Sequence, residues 1–175
     1  MSNKKHFQIS QQAVEKLAVR FGTPLLVLSL DEIKKNYKVL KKYMPRVKIH
    51  YAIKANPHPE ILRVMADMGS CFDVASDGEI RTMHDMGVDG GRLIYANPVK
   101  TGVGLEACRS CGVRKMTFDS ASEIDKIKKQ CPDATVLLRL RIDNSSAHVD
   151  LNKKFGAARE NALALMQQAK EAGLD

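Results

Sequence analysis

The stretch at residues 47–57, VKIHYAIKANP, places a single lysine, Lys54, at the end of an apolar run and just before a loop. Apolar side chains recur in it at every second position, namely Val47, Ile49, Tyr51 and Ile53. This period of two predicts a strand with one buried face. A lysine at the carboxyl end of such a strand is expected to be partly desolvated, and desolvation favours the neutral amine that attacks aldehydes. The common alternative is a lysine that simply extends into water, and local spacing does not choose between the two.

The composition is that of one soluble globular domain, since 175 residues with 44% hydrophobic and 27% charged residues are enough to form a core. The formal net charge of +8 admits nucleic acid, an anionic cofactor, or an acidic remainder of a longer chain. The basic residues occur as scattered pairs without interleaved aromatics, which argues against nucleic acid. We therefore expect an anionic ligand or an acidic remainder.

Cysteine usage and hydropathy indicate the compartment. Four cysteines are too few for a disulfide framework, and no apolar stretch has the length of a membrane span or the pattern of a signal peptide. We expect a cytoplasmic protein with no membrane partner. Cys108 and Cys111 form a CxxC motif, but a second ligand pair is missing, so one turn of a helix is a better interpretation than a zinc site.

Helical and strand patterns alternate along the chain. Helices are predicted at 11–20 with Ser10 as N-cap, from Asp31 as N-cap to Pro45, from Pro57 to Gly69, and at 76–86, 103–111, 120–130 and 159–172. Strands are predicted at 24–30, 47–53, 71–75, 93–96, 115–118 and 135–142. The repeats imply a parallel sheet with helices outside it, with five strand–helix units from residue 47 onward. An open α/β sheet and an unfinished (β/α)₈ barrel both fit this pattern.

Short motifs in a fixed order resemble the fold-type III pyridoxal-phosphate-dependent decarboxylases. They are YAIKAN at 51–56, FDVASDGEI at 72–80, LIYANPVK at 93–100, MTFDS at 116–120, and LLRLRIDNSSA at 137–147 with KFGA at 154–157. The likeness is to the ornithine and lysine decarboxylases of that family and extends over residues 23–175. It implies an α/β fold that is part of a (β/α)₈ barrel of the alanine racemase and ornithine decarboxylase type, with about five of eight strands.

The resemblance also implies a division of the chain. Residues 1–23 would form a leader and a helix, and residues 24–175 would form the amino-terminal part of the pyridoxal-phosphate-binding barrel, without the carboxyl-terminal β domain of the family. In that family the first apolar run, here 24–30, pairs with the β domain.

Four residues match the family's site positions. Lys54 corresponds to the catalytic Schiff-base lysine, which binds pyridoxal 5'-phosphate. Asp73 and Glu79 correspond to the acidic pair that lines the cofactor site, and Arg139 to the arginine at the cofactor ring. Without the resemblance, Asp73 and Arg139 would more often be a buried ion pair between adjacent strands, and Glu79 an exposed helix residue.

The implied function is decarboxylation of ornithine or lysine to a diamine, in polyamine biosynthesis, by a homodimer. The alternatives are diaminopimelate or carboxynorspermidine decarboxylation, or a non-catalytic regulator with this fold. In the family, the glycine-rich phosphate loop, the ring-stacking histidine and the partner subunit's residues correspond to positions after Asp175. We therefore expect residues 1–175 alone to be inactive.

Overall fold

The computed structural model describes residues 8–142 and 154–175, and these residues belong to two compact units divided between Val47 and Lys48. The predicted fold class is observed in the second unit, which is a parallel sheet covered by helices. None of the helices in the described residues is both long and apolar enough to cross a membrane.

The first unit contains two helices with serine N-caps. Helix α1 (Gln11–Phe21) begins after Ser10, whose Oγ accepts the Ala13 N–H at 3.3 Å, and ends at Gly22 with a φ of 81°. Helix α2 (Leu30–Tyr43) begins after Ser29, whose Oγ accepts the Glu32 N–H at 3.3 Å. The prediction that Asp31 caps α2 is therefore wrong, because Asp31 already lies in the first turn, where an acidic side chain is also favourable.

The segment between α1 and α2 is not the buried strand that its apolar run predicts. Residues 24–29 form no strand, and the side chain of Leu26 is 89% exposed. An apolar run becomes a strand only when a ladder partner satisfies its backbone groups, and the described sheet pairs no strand with this run.

The second unit contains five parallel strands that alternate with helices. The strands are β1 (His50–Ala52), β2 (Cys71–Val74), β3 (Leu93–Tyr95), β4 (Lys115–Phe118) and β5 (Thr135–Leu138). The helices are α3 (Pro59–Asp67), α4 (Asp77–Asp85), α5 (Gly102–Ser110), α6 (Ala121–Gln130) and α7 (Ala162–Glu171). Helix α3 begins after His58 rather than at Pro57, because the imidazole of His58 accepts the Glu60 N–H at 3.2 Å and so caps it.

The strands follow one another in the sheet in chain order, from β1 to β5. A doubly wound open sheet reverses its strand order at a switch point, whereas a barrel wall does not. Asp73 is the register partner of both Ala52 on β1 and Ile94 on β3. The order therefore favours the barrel wall over the open sheet.

The two faces of the sheet differ in burial. Alternate side chains such as Phe72, Val74, Met116 and Phe118 have no exposed area. They form the core together with helix residues that are equally buried, namely Leu62, Ile80, Met83, Leu105, Ile124 and Ile127. Burial of each such side chain contributes about 1.5–3 kcal/mol. The other face, which carries Asp73 and Thr117, is only partly buried by the described residues and would be the interior of a closed barrel.

The outer strands are shorter than predicted. Strand β1 covers three residues, and Ile53–Ala55 forms a 3₁₀ turn instead of continuing it. Strand β5 ends at Leu138 rather than at 142. After α7 the chain returns to the sheet, where the Val136 N–H donates to the Asp175 carbonyl at 2.6 Å and the Asp175 N–H to Ala134 at 3.3 Å. Asp175 therefore lies along the edge of β5 that is not paired with β4.

Candidate active site

Lys54 lies in the turn that directly follows β1 at the carboxyl edge of the sheet. Ile53, 1% exposed, anchors this turn in the core, and the Tyr51 hydroxyl donates to the Asn56 carbonyl at 3.1 Å. The Lys54 side chain itself is exposed. The expected desolvation of Lys54 is therefore not provided by the described residues, because the lysine sits on a turn rather than at the end of a buried strand.

Asp73 lies on the half-buried face of β2, and its Oδ1 is buried without a hydrogen-bond partner among the described residues. Burial raises the pKa of Asp73, while the charges of Lys54, His50 and Arg139 oppose this by lowering it. Lys54 and Arg139 therefore act electrostatically on the same carboxylate. An unpartnered buried oxygen beside cationic groups is a site prepared for a hydrogen-bond donor.

His50 is a further residue of this cluster that the sequence interpretation did not include. It lies on β1, opposite Cys71 of β2, and its Nδ1 is buried and lacks a hydrogen-bond partner in the described part of the chain. Its position at an even spacing from Ala52 is the only sequence signal that places it on the face of Asp73.

The alternative that Asp73 and Arg139 form an ion pair between adjacent strands is wrong, because the strands concerned are not adjacent. Strands β3 and β4 lie between β2, which carries Asp73, and β5, which precedes Arg139. The ion pairs found among the described residues do not include Asp73. The two side chains thus do not hold adjacent strands together, and their predicted roles at the cofactor stay predictions.

Glu79 stabilises the beginning of helix α4. Its Oε2 accepts the Ala75 N–H at 2.5 Å, and its own N–H donates to Ser76 Oγ at 3.2 Å. This reciprocal pattern is close to a capping box, with Ser76 as the N-cap of α4. The alternative that Glu79 is a free, exposed helix residue is wrong, since it is half-buried and hydrogen-bonded.

Arg139 directly follows β5 and is exposed. Its N–H donates to the Phe118 carbonyl at 2.8 Å, which extends the ladder with β4 by one residue. Its guanidinium carbon lies 5.2 Å from the centre of the Phe155 ring, within the range of a cation–π contact. The KFGA motif therefore contacts the segment that directly follows β5.

A buried ion pair at the same edge was missed by the sequence interpretation. Lys100 Nζ lies 2.9 Å from Glu123 Oε1, and the two side chains are 0% and 3% exposed. The amine also donates to the Thr117 carbonyl at 2.5 Å, and Glu123 Oε1 accepts the Lys100 N–H at 3.0 Å. Burial lowers the pKa of Lys100, and the hydrogen bond and charge of Glu123 oppose this. The pair fixes the loop after β3 to the first turn of α6.

The CxxC motif lies on helix α5 and at its end. Cys108 is buried, and burial raises its pKa to about 12, so its thiolate is scarce at neutral pH. Among residues 8–142 and 154–175, no group of three or more His, Cys, Asp or Glu side chains converges on a common point. Cys108 therefore belongs to the core, whereas Cys111 is only partly buried at the end of α5.

The second unit is a five-stranded stretch of barrel wall, with a lysine, a carboxylate and an arginine on or directly after strands β1, β2 and β5. In barrels of this class, functional sites lie at the carboxyl edge of the strands. The family model described as pyridoxal-dependent decarboxylase, pyridoxal binding domain, matches residues 30–175. The chain belongs to this family, and the resemblance noted in its sequence is confirmed.

Relatives of known name agree with this assignment. The chain is 51% identical to the lysine/ornithine decarboxylase of Selenomonas ruminantium over 170 residues, covering 97% of this chain and 43% of the relative. A crystal structure of lysine decarboxylase from Selenomonas ruminantium superposes with a TM-score of 0.91 at 51% identity, covering 97% of this chain and 45% of that one. Antizyme inhibitor 2 of Xenopus laevis is 37% identical over 145 residues, covering 83% of this chain and 32% of the relative. The chain thus spans less than half the length of these relatives.

The residues present fit pyridoxal phosphate. Lys54 offers an accessible amine, the buried Oδ1 of Asp73 lacks a hydrogen-bond partner within residues 8–142 and 154–175, and Arg139 presents an exposed guanidinium on the same edge. An amine, a carboxylate and a cation are the groups that an aldehyde cofactor bearing a phosphate requires.

Proposed function

We propose that the protein containing this chain is a pyridoxal-phosphate-dependent decarboxylase that converts lysine or ornithine to the corresponding diamine. The observation that carries the proposal is that Lys54, Asp73 and Arg139 lie on or directly after strands β1, β2 and β5 of one parallel sheet. The 51% identity to a lysine/ornithine decarboxylase supports the substrate class.

The bound cofactor supplies a ring that accepts the electrons left on the substrate Cα when carbon dioxide leaves. The residues of this chain bind and orient it. Lys54 is exposed on a turn anchored by Ile53, so its amine can meet the cofactor's aldehyde without rearrangement of the core. Lys54 is therefore the proposed covalent anchor.

Asp73 and Arg139 would contribute through the charges of their side chains. Because burial raises the pKa of Asp73, its carboxyl can take up a proton more readily than an exposed aspartate. It can also accept a hydrogen bond at Oδ1, which has no partner among the residues that the structure describes. Arg139 keeps its positive charge at any working pH and would attract the anionic cofactor. Glu79 would contribute through the β2–α4 connection, since its carboxylate holds the Ala75 N–H directly after β2.

The deciding experiment is product analysis. The intact protein, supplied with pyridoxal phosphate, is incubated separately with lysine, ornithine, diaminopimelate and carboxynorspermidine, and the amines formed are separated by chromatography. We expect cadaverine from lysine and putrescine from ornithine. Turnover of diaminopimelate or carboxynorspermidine alone would replace the proposed substrate with one of the two alternative decarboxylase activities.

A non-catalytic regulator is the second candidate, because the chain also matches an antizyme inhibitor at 37% identity. A regulator would form no diamine from any of the four substrates and would retain no cofactor absorbance once free pyridoxal phosphate is removed by gel filtration. The presence of Lys54, Asp73 and Arg139 together favours the enzyme over this candidate.

A role in polyamine biosynthesis, a homodimeric assembly and a cytoplasmic location belong to the same proposal. The four free cysteines of the chain, two of them buried, are compatible with a reducing compartment. Sedimentation of the intact protein and fractionation of its source cells would test the assembly and the location. The inactivity of residues 1–175 alone stays a prediction, checked by the same product analysis on that chain.

A further inference from the structure

We propose that Asp119 is a positioning residue, which acts by holding the turn at 154–157 against Arg139. This inference deepens the proposed function, since Arg139 is the group that would meet the anionic cofactor. Asp119 would act through its contact with this turn and need not contact any ligand itself.

The first link is a hydrogen bond across the edge of the sheet. Asp119 directly follows β4, and its Oδ2 accepts the Gly156 N–H at 2.8 Å although the two residues are 37 positions apart. Gly156 is buried, so without Asp119 its amide would lose the one hydrogen-bond partner it has among the described residues. An unsatisfied buried N–H costs about 1–3 kcal/mol, which is enough to displace a turn.

Gly156 allows this close approach. Its φ is 104°, and a Cβ at this position would lie 2.8 Å from the Arg141 nitrogen. Only glycine adopts this backbone conformation without strain and leaves room for the chain beside it. The turn therefore lies directly against the backbone of residues 139–141.

The second link joins the turn to Arg139. The Ala157 N–H donates to the Arg139 carbonyl at 2.9 Å, and the Arg141 N–H donates to the Ala157 carbonyl at 2.9 Å. The Phe155 ring lies on the Arg139 guanidinium at 5.2 Å. Asp119 thus fixes Gly156, and the residues on either side of Gly156 fix both the backbone and the side chain of Arg139.

Arg139 depends on these contacts because it has few others. It is exposed, and its remaining described bond is the donation of its N–H to the Phe118 carbonyl, which orients the backbone but not the guanidinium. An exposed arginine samples many rotamers, and the Phe155 ring is what restricts them. Loss of Asp119 should therefore release the guanidinium while the sheet stays folded.

The test compares Asp119→Ala with Asp119→Asn in the intact protein. An asparagine retains an oxygen that can accept the Gly156 N–H, whereas alanine retains none. Asp133→Ala is the matched control, because Asp133 is 61% exposed and its ion pair with Arg114 lies at the surface. Unfolding in urea, measured on every variant, confirms that the fold persists.

The first measurement needs no cofactor. In the NMR spectrum, the Arg139 Nε–H signal should be displaced by the Phe155 ring in the unmodified protein, in Asp119→Asn and in Asp133→Ala. In Asp119→Ala it should move to the position of a free arginine, and the Gly156 amide should exchange faster with solvent. Phe155→Leu, which leaves the turn intact, should move the Arg139 signal without accelerating Gly156 exchange.

The second measurement is the dissociation constant for pyridoxal phosphate. We expect Asp119→Ala to weaken binding about fivefold, since one net hydrogen bond is worth about 1 kcal/mol, and Asp119→Asn to stay within about twofold. The double variant with Arg139→Ala should bind no more weakly than Arg139→Ala alone, because both changes remove the same interaction.

These outcomes distinguish a failure of the proposed function from a failure of the role proposed for Asp119. If the unmodified protein binds no pyridoxal phosphate, the proposed function fails, and the Arg139 signal still decides the role of Asp119. If that signal is the same in Asp119→Ala and the unmodified protein, or if Asp119→Asn behaves like Asp119→Ala, or if the two effects on binding multiply in the double variant, Asp119 does not act by positioning Arg139.

Discussion

The amine of Lys100 and the carboxylate of Glu123 form an ion pair 2.9 Å apart, and neither side chain is more than 3% exposed. Lys126 donates to the second oxygen of Glu123 at 2.6 Å and to the Lys100 carbonyl at 2.7 Å. Two cations and one carboxylate therefore share a site in which every oxygen of Glu123 is paired. Such a site is rigid because its members are costly to separate.

We predict that Lys100→Met lowers the free energy of unfolding by about 3–5 kcal/mol, because it leaves Glu123 buried and short of one partner. Lys129→Met on the exposed side of α6 is the control and should change stability by less than about 0.5 kcal/mol. Lys100→Met combined with Glu123→Leu should recover a large part of the loss. Urea denaturation of the three variants measures this, and equal stability of Lys100→Met and the unmodified protein would show that the pair is not structural.

Lys54→Ala should abolish the covalent attachment of pyridoxal phosphate. The amine of Lys54 is exposed and, by its place in the family motif, is the proposed partner of the aldehyde. Reduction with borohydride followed by peptide mass spectrometry should find the phosphopyridoxyl group on Lys54 in the unmodified protein and on no lysine of the variant. Lys100→Met is an informative comparison, since Lys100 lies at the same edge but is buried and so is inaccessible to the aldehyde. An adduct on any other lysine in Lys54→Ala would contradict the assignment.

Asp73 should make stability depend on pH in a defined direction. Its folded-state pKa is raised above the ordinary value of 3.8, chiefly by burial, so the folded state binds its proton more readily than the unfolded state does. The free energy of unfolding should then decrease as pH rises from 3.8 through the raised pKa, and the cost of the buried charge is complete above it. Asp73→Asn should therefore stabilise the cofactor-free protein at neutral pH and make its stability less dependent on pH in this window.

Urea midpoints at intervals from pH 4 to pH 8 would measure this effect, with the exposed Asp133→Asn as control. If Asp73→Asn were less stable than the unmodified protein at neutral pH, the positive charges of Lys54, His50 and Arg139 would outweigh the burial of Asp73.

The repeated strand–helix order could be predicted from sequence because each element carries its own pattern. Strand β4 has the predicted bounds, and α4 and α6 begin one residue after the predicted first position. In β4 the strand period predicts the observed structure, and in α4 and α6 the helical period does so together with a serine at the N-cap position. Local sequence is therefore sufficient in these segments.

The elements that were mispredicted depend on distant partners. The apolar run at 24–30 has strand character, yet a strand needs a ladder that the described sheet does not supply. The alternation that predicts a strand up to Ile53 continues past the last paired residue, Ala52, into a 3₁₀ turn. The alternation of apolar residues does not by itself show at which residue the pairing of two strands stops.

In the candidate site, too, some features could be predicted from local sequence and others depend on distant residues. Lys54, Asp73 and Arg139 could be selected by motif, but the burial of Lys100 could not, because it requires Thr117 and Glu123, which lie 17 and 23 residues further on. From its neighbours Asn-Pro-Val alone, this lysine would be predicted to be a solvent-exposed loop residue. The contact of Asp119 with Gly156 spans 37 residues and has no local signature either.

Glu79 allows its two candidate roles to be separated. Its Oε2 accepts the Ala75 N–H at 2.5 Å, which is a capping contact, whereas the family resemblance predicts that its carboxylate lines the cofactor site. We expect Glu79→Gln to retain most of the stability, because its amide oxygen still accepts the Ala75 N–H, and Glu79→Ala to lose about 0.5–2 kcal/mol.

Cofactor affinity then distinguishes the roles. If the negative charge of Glu79 serves pyridoxal phosphate, Glu79→Gln should weaken binding of the cofactor at nearly unchanged stability. Ser76→Ala is the matched control, since it removes the Ser76 half of the cap and leaves the carboxylate in place. If Glu79→Gln and Ser76→Ala both bind pyridoxal phosphate like the unmodified protein, Glu79 stabilises α4 only. Its match to the acidic pair would then reflect the geometry of the β2–α4 connection rather than contact with the cofactor.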